Sequence, residues 1–150
     1  MGSRNPSKFV ASSAYTYAVS LRARHPTIDP AILTETLKLE PAHSWKAGDP
    51  RRSQSGATLG GQYRDSYWSA LLQGQMVGTA TLPLETFVGQ QLLQLARHRD
   101  FLSGLQADGG EISLLIEIAP VANAVLTLSS TVSRRLADLN IEVEFQFPGD

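Results

Sequence analysis

The segment Tyr15–Arg52 decides the fold of this chain, and it reads YTYAVSLRARHPTIDPAILTETLKLEPAHSWKAGDPRR. Residues 15–24 put apolar side chains at every second position, which is the period of a strand with one buried face. The Asp-Pro pair at 29–30 predicts a helix start, because aspartate accepts free amide bonds and proline suits the first helical position. Leu33 and Leu37 lie four residues apart and form the inner stripe of that helix.

Beyond this helix, the chain alternates further strands and helices. The predicted elements are an extended piece at 41–45, a strand at 65–72, a long helix at 84–105, a strand at 112–118, a short helix that begins near Ser129 or Ser130, and a final strand at 141–147. In the final strand, Ile141, Val143, Phe145 and Phe147 are predicted to point inward. The order β-α-β-β-α-β, followed by α-β, predicts an α+β fold: a ferredoxin-like unit with a C-terminal extension. The polar second face of most strands favours an antiparallel or mixed sheet with helices on one face.

Length and composition favour one ordinary globular domain. The chain has 150 residues, 42% hydrophobic residues and a net charge of -1. We expect a flexible arm at 1–13 and a single α+β domain at 14–148, with the Gly/Ser-rich stretch 48–64 as a mobile loop. The absence of cysteine excludes disulfides, thiolate catalysis and Cys-ligated zinc. Since no apolar run approaches the roughly 18 residues of a membrane span, we expect a soluble, cytoplasmic protein with no membrane partner.

Charge is divided unevenly along the chain. Residues 1–64 carry nine Lys/Arg against four Asp/Glu, and residues 65–150 carry four against ten. If the two halves fold side by side, much of this imbalance cancels, so solvated faces explain it better than a polyanion site. Nucleic acid is therefore the partner class that we rank last; steep salt dependence would be its sign.

Several short motifs carry a family resemblance. They are Tyr17-Ala18-Val19-Ser20-Leu21-Arg22, Asp29-Pro30 with Leu33, Thr34 and Leu37, Leu39-Glu40-Pro41, Trp45-Lys46, Gly48-Asp49-Pro50, the Trp68-Ser69 pair and the Leu128-Ser129 helix start. On these motifs the chain resembles a bacterial family known as domain of unknown function 4279, over most of residues 15–147. Two positions depart from its pattern: Lys38 stands where the family usually has glycine, and residues 120–124 replace a Gly/Asn-rich turn. The resemblance supports the fold and implies no activity.

One cluster of residues could bind a ligand or a partner. An aromatic plane beside cationic side chains can hold a peptide, a base or an anion. The candidate residues are Trp45, Lys46, Asp49, Arg51, Trp68, Arg22 and Arg24. The structural alternative, which we favour, makes both tryptophans core pieces and 48–50 a turn closed by its own aspartate.

Sequence patterns for other chemistries are weak. The glycines at 56, 60 and 61 lack the Lys-Ser/Thr ending of a phosphate loop, and the three histidines have no ligand at metal spacing. No Gly-x-Ser-x-Gly elbow occurs. We therefore expect no catalytic residue, no metal and no cofactor.

Two hypotheses about function follow. The first is a non-enzymatic protein-binding or accessory module that acts on an unknown protein partner; analogy with other small α+β proteins suggests the immunity type. Its surface would be the polar sheet face with Arg22, Arg24, Glu117, Glu142 and Glu144, together with the 45–52 turn, and self-association into a homodimer is one form of it. The second is a small-ligand binder or enzyme with a pocket under the 48–64 loop.

Overall fold

The computed structural model describes residues 15–72, 77–79, 81–119 and 125–147, and it shows a mixed α+β architecture. The strands are β1 (Thr16–His25), β2 (His43–Trp45), β3 (Pro50–Arg52), β4 (Thr58–Gln62), β5 (Ser66–Leu71), β6 (Val77–Gly78), β7 (Glu111–Ile118) and β8 (Glu142–Gln146). The helices are α1 (Ala31–Leu37), α2 (Leu84–Ala96), α3 (Arg99–Ala107) and α4 (Ser130–Asp138). Five strands form an open sheet in the order β2-β5-β1-β7-β8, with the short β6 also paired to β1.

Strand β1 is the centre of this sheet and follows the predicted alternation. It pairs antiparallel with β5 on one side and β7 on the other. Its residues Tyr17, Val19, Leu21 and Ala23 are buried, and the residues between them are half-buried or exposed. The same period occurs in β7, so both strands send one row of apolar side chains into a common core.

The helices cover that apolar face. Each of them contributes leucine, valine or phenylalanine side chains to the single core cluster. Trp68 of β5 is 0% exposed and joins the sheet to α1, because its indole Nε1 donates to Thr34 Oγ1 at 3.1 Å. The hydroxyl of Tyr17 in β1 donates to the carbonyl of Leu82 at 2.6 Å. Both buried aromatics thus have their polar atoms satisfied, as burial requires.

Helix α1 begins and ends with residues that the sequence marks. Asp29 Oδ1 accepts a hydrogen bond from the amide of Ala31 at 3.0 Å, as the Asp-Pro start predicted. Lys38 ends the helix in the left-handed conformation, with φ 58° and ψ 41°. Its amide still donates to Thr34 O at 3.0 Å, which closes the last turn. Glycine is the residue that adopts positive φ without steric cost, so a side chain with a Cβ is strained at this position.

The predicted helix at 84–105 is two helices, so this prediction was wrong at its middle. After α2, the amides of Arg97 and His98 bond to carbonyls three residues back, which is a tighter turn than the α-helix. His98 then leaves helical geometry, with φ -109° and ψ 25°, and α3 begins. Leu102 and Leu105 of α3 are buried, so the helices on both sides of the break pack on the core, and the break itself contains no proline or glycine.

The predicted loop at 48–64 contains a second, two-stranded sheet. Strands β3 and β4 pair antiparallel, and every residue in them is exposed. Their sequences have no apolar alternation, which is why the pattern did not indicate strands. The mobility of this hairpin stays a prediction.

The C-terminal part follows the prediction except at its phenylalanines. Ser129 Oγ caps α4 by accepting from the amide of Val132 at 3.2 Å, and Asn140 takes the left-handed stop with φ 53°. Strand β8 then pairs parallel with β7, which makes the sheet mixed. Phe145 lies on the predicted inward side of the sheet, but it is 38% exposed and Phe147 is 57% exposed, so neither is buried in the core. Phe145 lies opposite Ile116 on the core side, but the sheet ends there and little covers it.

The α+β class with a mixed sheet is therefore confirmed. The ferredoxin-like unit stays a prediction.

Candidate functional site

The face of the sheet opposite the core carries an ordered set of side chains. Across one row of paired positions, the residues are Trp45, Tyr67, Arg24 and Glu111. Across the next row they are His43, Ser69, Arg22, Ser113 and Glu142. The face thus changes from aromatic to cationic to anionic between β2 and β8. We call this surface the open face.

The aromatic end of the open face is a three-ring stack. The rings of Trp45 and Tyr63 have centroids 4.3 Å apart at 13°, and those of Trp45 and Tyr67 are 4.7 Å apart at 23°. Two rings at such distances cannot lie side by side on one face of the indole, so Trp45 is held between the two tyrosines. Tyr63 follows β4 and Tyr67 lies in β5, so the stack joins the small hairpin to the main sheet.

The turn after Trp45 fixes the position of the β3–β4 hairpin relative to the three-ring stack. Asp49 closes the turn on itself: Oδ2 accepts from the amide of Lys46 at 3.1 Å, and its own amide donates to Lys46 O at 3.0 Å. The amide of Gly48 donates to Tyr63 O at 2.8 Å, and the amide of Tyr63 donates to Asp49 O at 3.0 Å. The turn closed by its own aspartate, which the sequence predicted, is therefore confirmed, and it also brings Tyr63 onto the indole.

The cationic and anionic parts of the open face enclose a shallow groove of about 230 Å³. Its walls are Arg22, Ala23, Arg24, Tyr67, Glu111, Ile112, Ser113, Glu142 and Glu144. Arg22 Nη2 donates to Glu144 Oε1 across the intervening strand β7. In the described part of the chain, no carboxylate lies within ion-pairing distance of Arg24. The groove can therefore offer a free guanidinium and carboxylates within one small volume.

A second cavity lies between β2 and the hairpin. It has a volume of about 240 Å³ and is lined by Ser44, Trp45, Asp49, Pro50, Arg52 and Tyr63. This is below the roughly 300–1,000 Å³ of drug-sized ligand sites, so it suits a small molecule or one side chain of a larger partner. Four of its lining residues belong to the segment 48–64, which the sequence predicts as a loop over a pocket.

The structure brings some of the predicted site residues together and separates others. Trp45 and Asp49 line the cavity beside the hairpin, and Arg22 and Arg24 line the groove. Lys46 and Arg51 are exposed but line neither space, and Trp68 is a core residue on the opposite side of the sheet.

Sequence reasoning did not select Tyr63, Tyr67, Glu111 or Ser113 as site residues. Tyr67 and Ser113 could have been found from strand register, since both share a face with the arginines of β1. Tyr63 had no such signal, because its place on Trp45 depends on the hairpin.

Buried polar groups outside the open face have structural roles. His25 is 6% exposed, and its Nδ1 accepts from the amides of Thr27 and Ile28 at 3.0 and 2.9 Å. Through these two hydrogen bonds, His25 closes the turn after β1. Burial raises the pKa of Tyr15 and of Tyr17, and the charge of Tyr15 adds to the rise at Tyr17. Among the described residues, no three acidic or histidine side chains come close enough to hold a metal ion.

The fold and this surface define a small α+β protein with an open, mixed-charge sheet face. The chain belongs to the family described as Domain of unknown function (DUF4279), whose model matches residues 13–149. No curated protein and no solved structure matches it. In the described ranges, every helix is too short or too polar to cross a bilayer.

Proposed function

We propose that this protein is a non-enzymatic binding module that holds a protein partner on its open face. The observation that carries the proposal is the order of side chains across that face, from the Trp45 stack through Arg22 and Arg24 to the glutamates of β7 and β8. Aromatic and arginine side chains are enriched at protein interfaces, and a mixed pattern of charge sets the register of a partner.

The groove supports a protein partner better than a catalytic reaction. Its lining contains arginine, glutamate, serine and tyrosine side chains, and none of them is a nucleophile hydrogen-bonded to a base among the described contacts. A surface of this kind fits an accessory protein that covers part of another protein, including one of immunity type.

The test uses charge reversal at two exposed arginines. Arg24 lies on the open face, and Arg134 lies on α4, outside the sheet. The tagged wild-type chain, Arg24→Glu and Arg134→Glu are each incubated with lysate of the source organism, and bound proteins are identified by mass spectrometry. A stoichiometric protein retained by wild type and by Arg134→Glu but lost with Arg24→Glu supports the proposal. Capture that is absent, or equal for all three baits, refutes it.

A second function has one specific observation in its favour. The cavity of about 240 Å³ beside the hairpin is lined by Asp49, Arg52 and the half-buried Trp45. A small-ligand binder or enzyme would need a pocket of this kind. Arg51 and Arg52 are neighbours in β3, and only Arg52 lines this cavity. A metabolite library is screened by tryptophan fluorescence. A hit whose signal is lost in Arg52→Ala but kept in Arg51→Ala would establish this function, and a library without such a hit would argue against it.

A further inference from the structure

Strand β8 forms a free edge of the main sheet. It pairs with β7 on one side, and in the part of the chain that the structure describes no strand pairs with its other side. Four of its five residues are exposed, and Val143 is half-buried. The backbone groups along a free edge can bond to another extended segment, which is how proteins bind partners by strand addition.

The two sides of this edge differ in chemistry. On the core side, Val143 and Phe145 are followed by Phe147, and both phenylalanines are exposed. On the open face, Glu142 and Glu144 point outward from the same strand. Charged side chains normally protect an edge from pairing. Here Glu144 is drawn over its own sheet by Arg22, which weakens that protection.

We propose that β8 accepts an extended segment of a partner protein that alternates basic and apolar residues. A basic side chain would lie opposite Glu142, which has no cation within ion-pairing distance among the described residues, and the apolar ones would cover Val143 and Phe145. Opposite charges and apolar pairs across neighbouring strands both stabilise a sheet. This inference rests on the proposed function, since it specifies the kind of protein segment that the module takes.

A second copy of this chain fits the same edge poorly. Strand β8 reads EVEFQ, and pairing must keep open-face residues opposite open-face residues. The antiparallel register in which all five residues overlap places Glu144 opposite Glu144 and Glu142 opposite Gln146. Like charges directly opposite each other destabilise strand pairing, so a basic segment is the better occupant.

The test uses a short labelled peptide of alternating lysine and valine, with glutamate in place of lysine in the matched peptide. Binding to the full chain is measured by fluorescence anisotropy, and amide hydrogen exchange locates the bound peptide. We expect the basic peptide to bind and to protect the amides of 142–146, and the acidic peptide not to bind. Glu142→Lys should weaken binding about tenfold, since it removes an attraction and adds a repulsion. Glu35→Lys, which makes the same charge change at an exposed position of helix α1, should leave affinity within about twofold.

Three results would overturn the inference. They are no binding of the basic peptide, an equal loss with Glu142→Lys and Glu35→Lys, and a dimer of the free chain with its 142–146 amides already protected. Arg24→Glu separates this inference from the proposed function. If that variant loses the captured partner while the basic peptide fails to bind β8, the open face is the interface and the edge is not. If Arg24→Glu keeps the partner and the peptide protects β8, the edge is the interface.

Discussion

Replacement of Lys38 by glycine should stabilise the protein. Lys38 is exposed, ends α1 at φ 58°, and bonds to the helix only through its backbone amide. The left-handed conformation costs a residue with a Cβ about 1–2 kcal/mol. Glycine avoids that cost but loses about 0.5–1 kcal/mol through its greater freedom in the unfolded chain. The net expectation for Lys38→Gly is a gain of about 0.5–1 kcal/mol, or about 1–4 °C in melting temperature for a chain of this length.

Urea denaturation followed by circular dichroism measures the free energy of unfolding of Lys38→Gly against wild type. Lys38→Ala is the matched control, because it removes the same charge and long side chain while it keeps the Cβ that strains the backbone. We expect Lys38→Ala to lie within about 0.5 kcal/mol of wild type. If Lys38→Gly is no more stable than Lys38→Ala, backbone strain at this helix end is not what the substitution relieves, and the reasoning fails.

Three further predictions concern the core. Tyr17→Phe should lower the free energy of unfolding by about 0.5–1.5 kcal/mol at neutral pH, because the variant loses a hydroxyl hydrogen bond. Because burial raises the pKa of Tyr17, the stability of the wild-type protein should fall above about pH 10. Urea denaturation at rising pH should show a smaller fall in the variant. Trp68→Phe should cost about 1–3 kcal/mol in the same assay, since Thr34 loses its indole donor and a smaller ring leaves space; an unchanged midpoint would contradict this. Gly110→Ala should lower the free energy of unfolding by about 1–3 kcal/mol, because the new Cβ would lie 2.6 Å from a carbonyl oxygen of α3. The Cβ of Gly104→Ala would meet nothing within 4 Å, so this variant should gain about 0.4–1 kcal/mol. Equal melting temperatures of the two variants would refute the contrast.

The sequence predicts those parts of the fold that depend only on residues close together in the chain. The alternation in β1, the Asp29 start of α1, and the Ser129 cap with the Asn140 stop around α4 are all local, and each is confirmed. Periodicity and capping act within a few residues, so the chain itself carries them.

Tertiary contacts decided the parts that sequence did not predict. The break at His98 has no proline or glycine, so no local residue signal marks it, although Leu102 and Leu105 beyond it are buried like the leucines before it. Phe145 fits the inward alternation but lies where the sheet ends, so its exposure depends on the strand order. In the candidate site, the arginines of β1 were predicted, whereas the place of Tyr63 on Trp45 required the folded hairpin.

The central position of β1 has a consequence for biosynthesis. This strand is the first described element to leave the ribosome, yet its partners are distant: Leu21 pairs with Ala70 of β5 and with Leu114 of β7. Closure of such long loops costs entropy before any pairing repays it, so chains with these contacts fold slowly. Until β7 has been synthesised, the apolar side of β1 has only part of its final cover. Until β7 is complete at Ile118, the nascent chain therefore presents a central strand without one of its two neighbours, which is the form that a chaperone would meet.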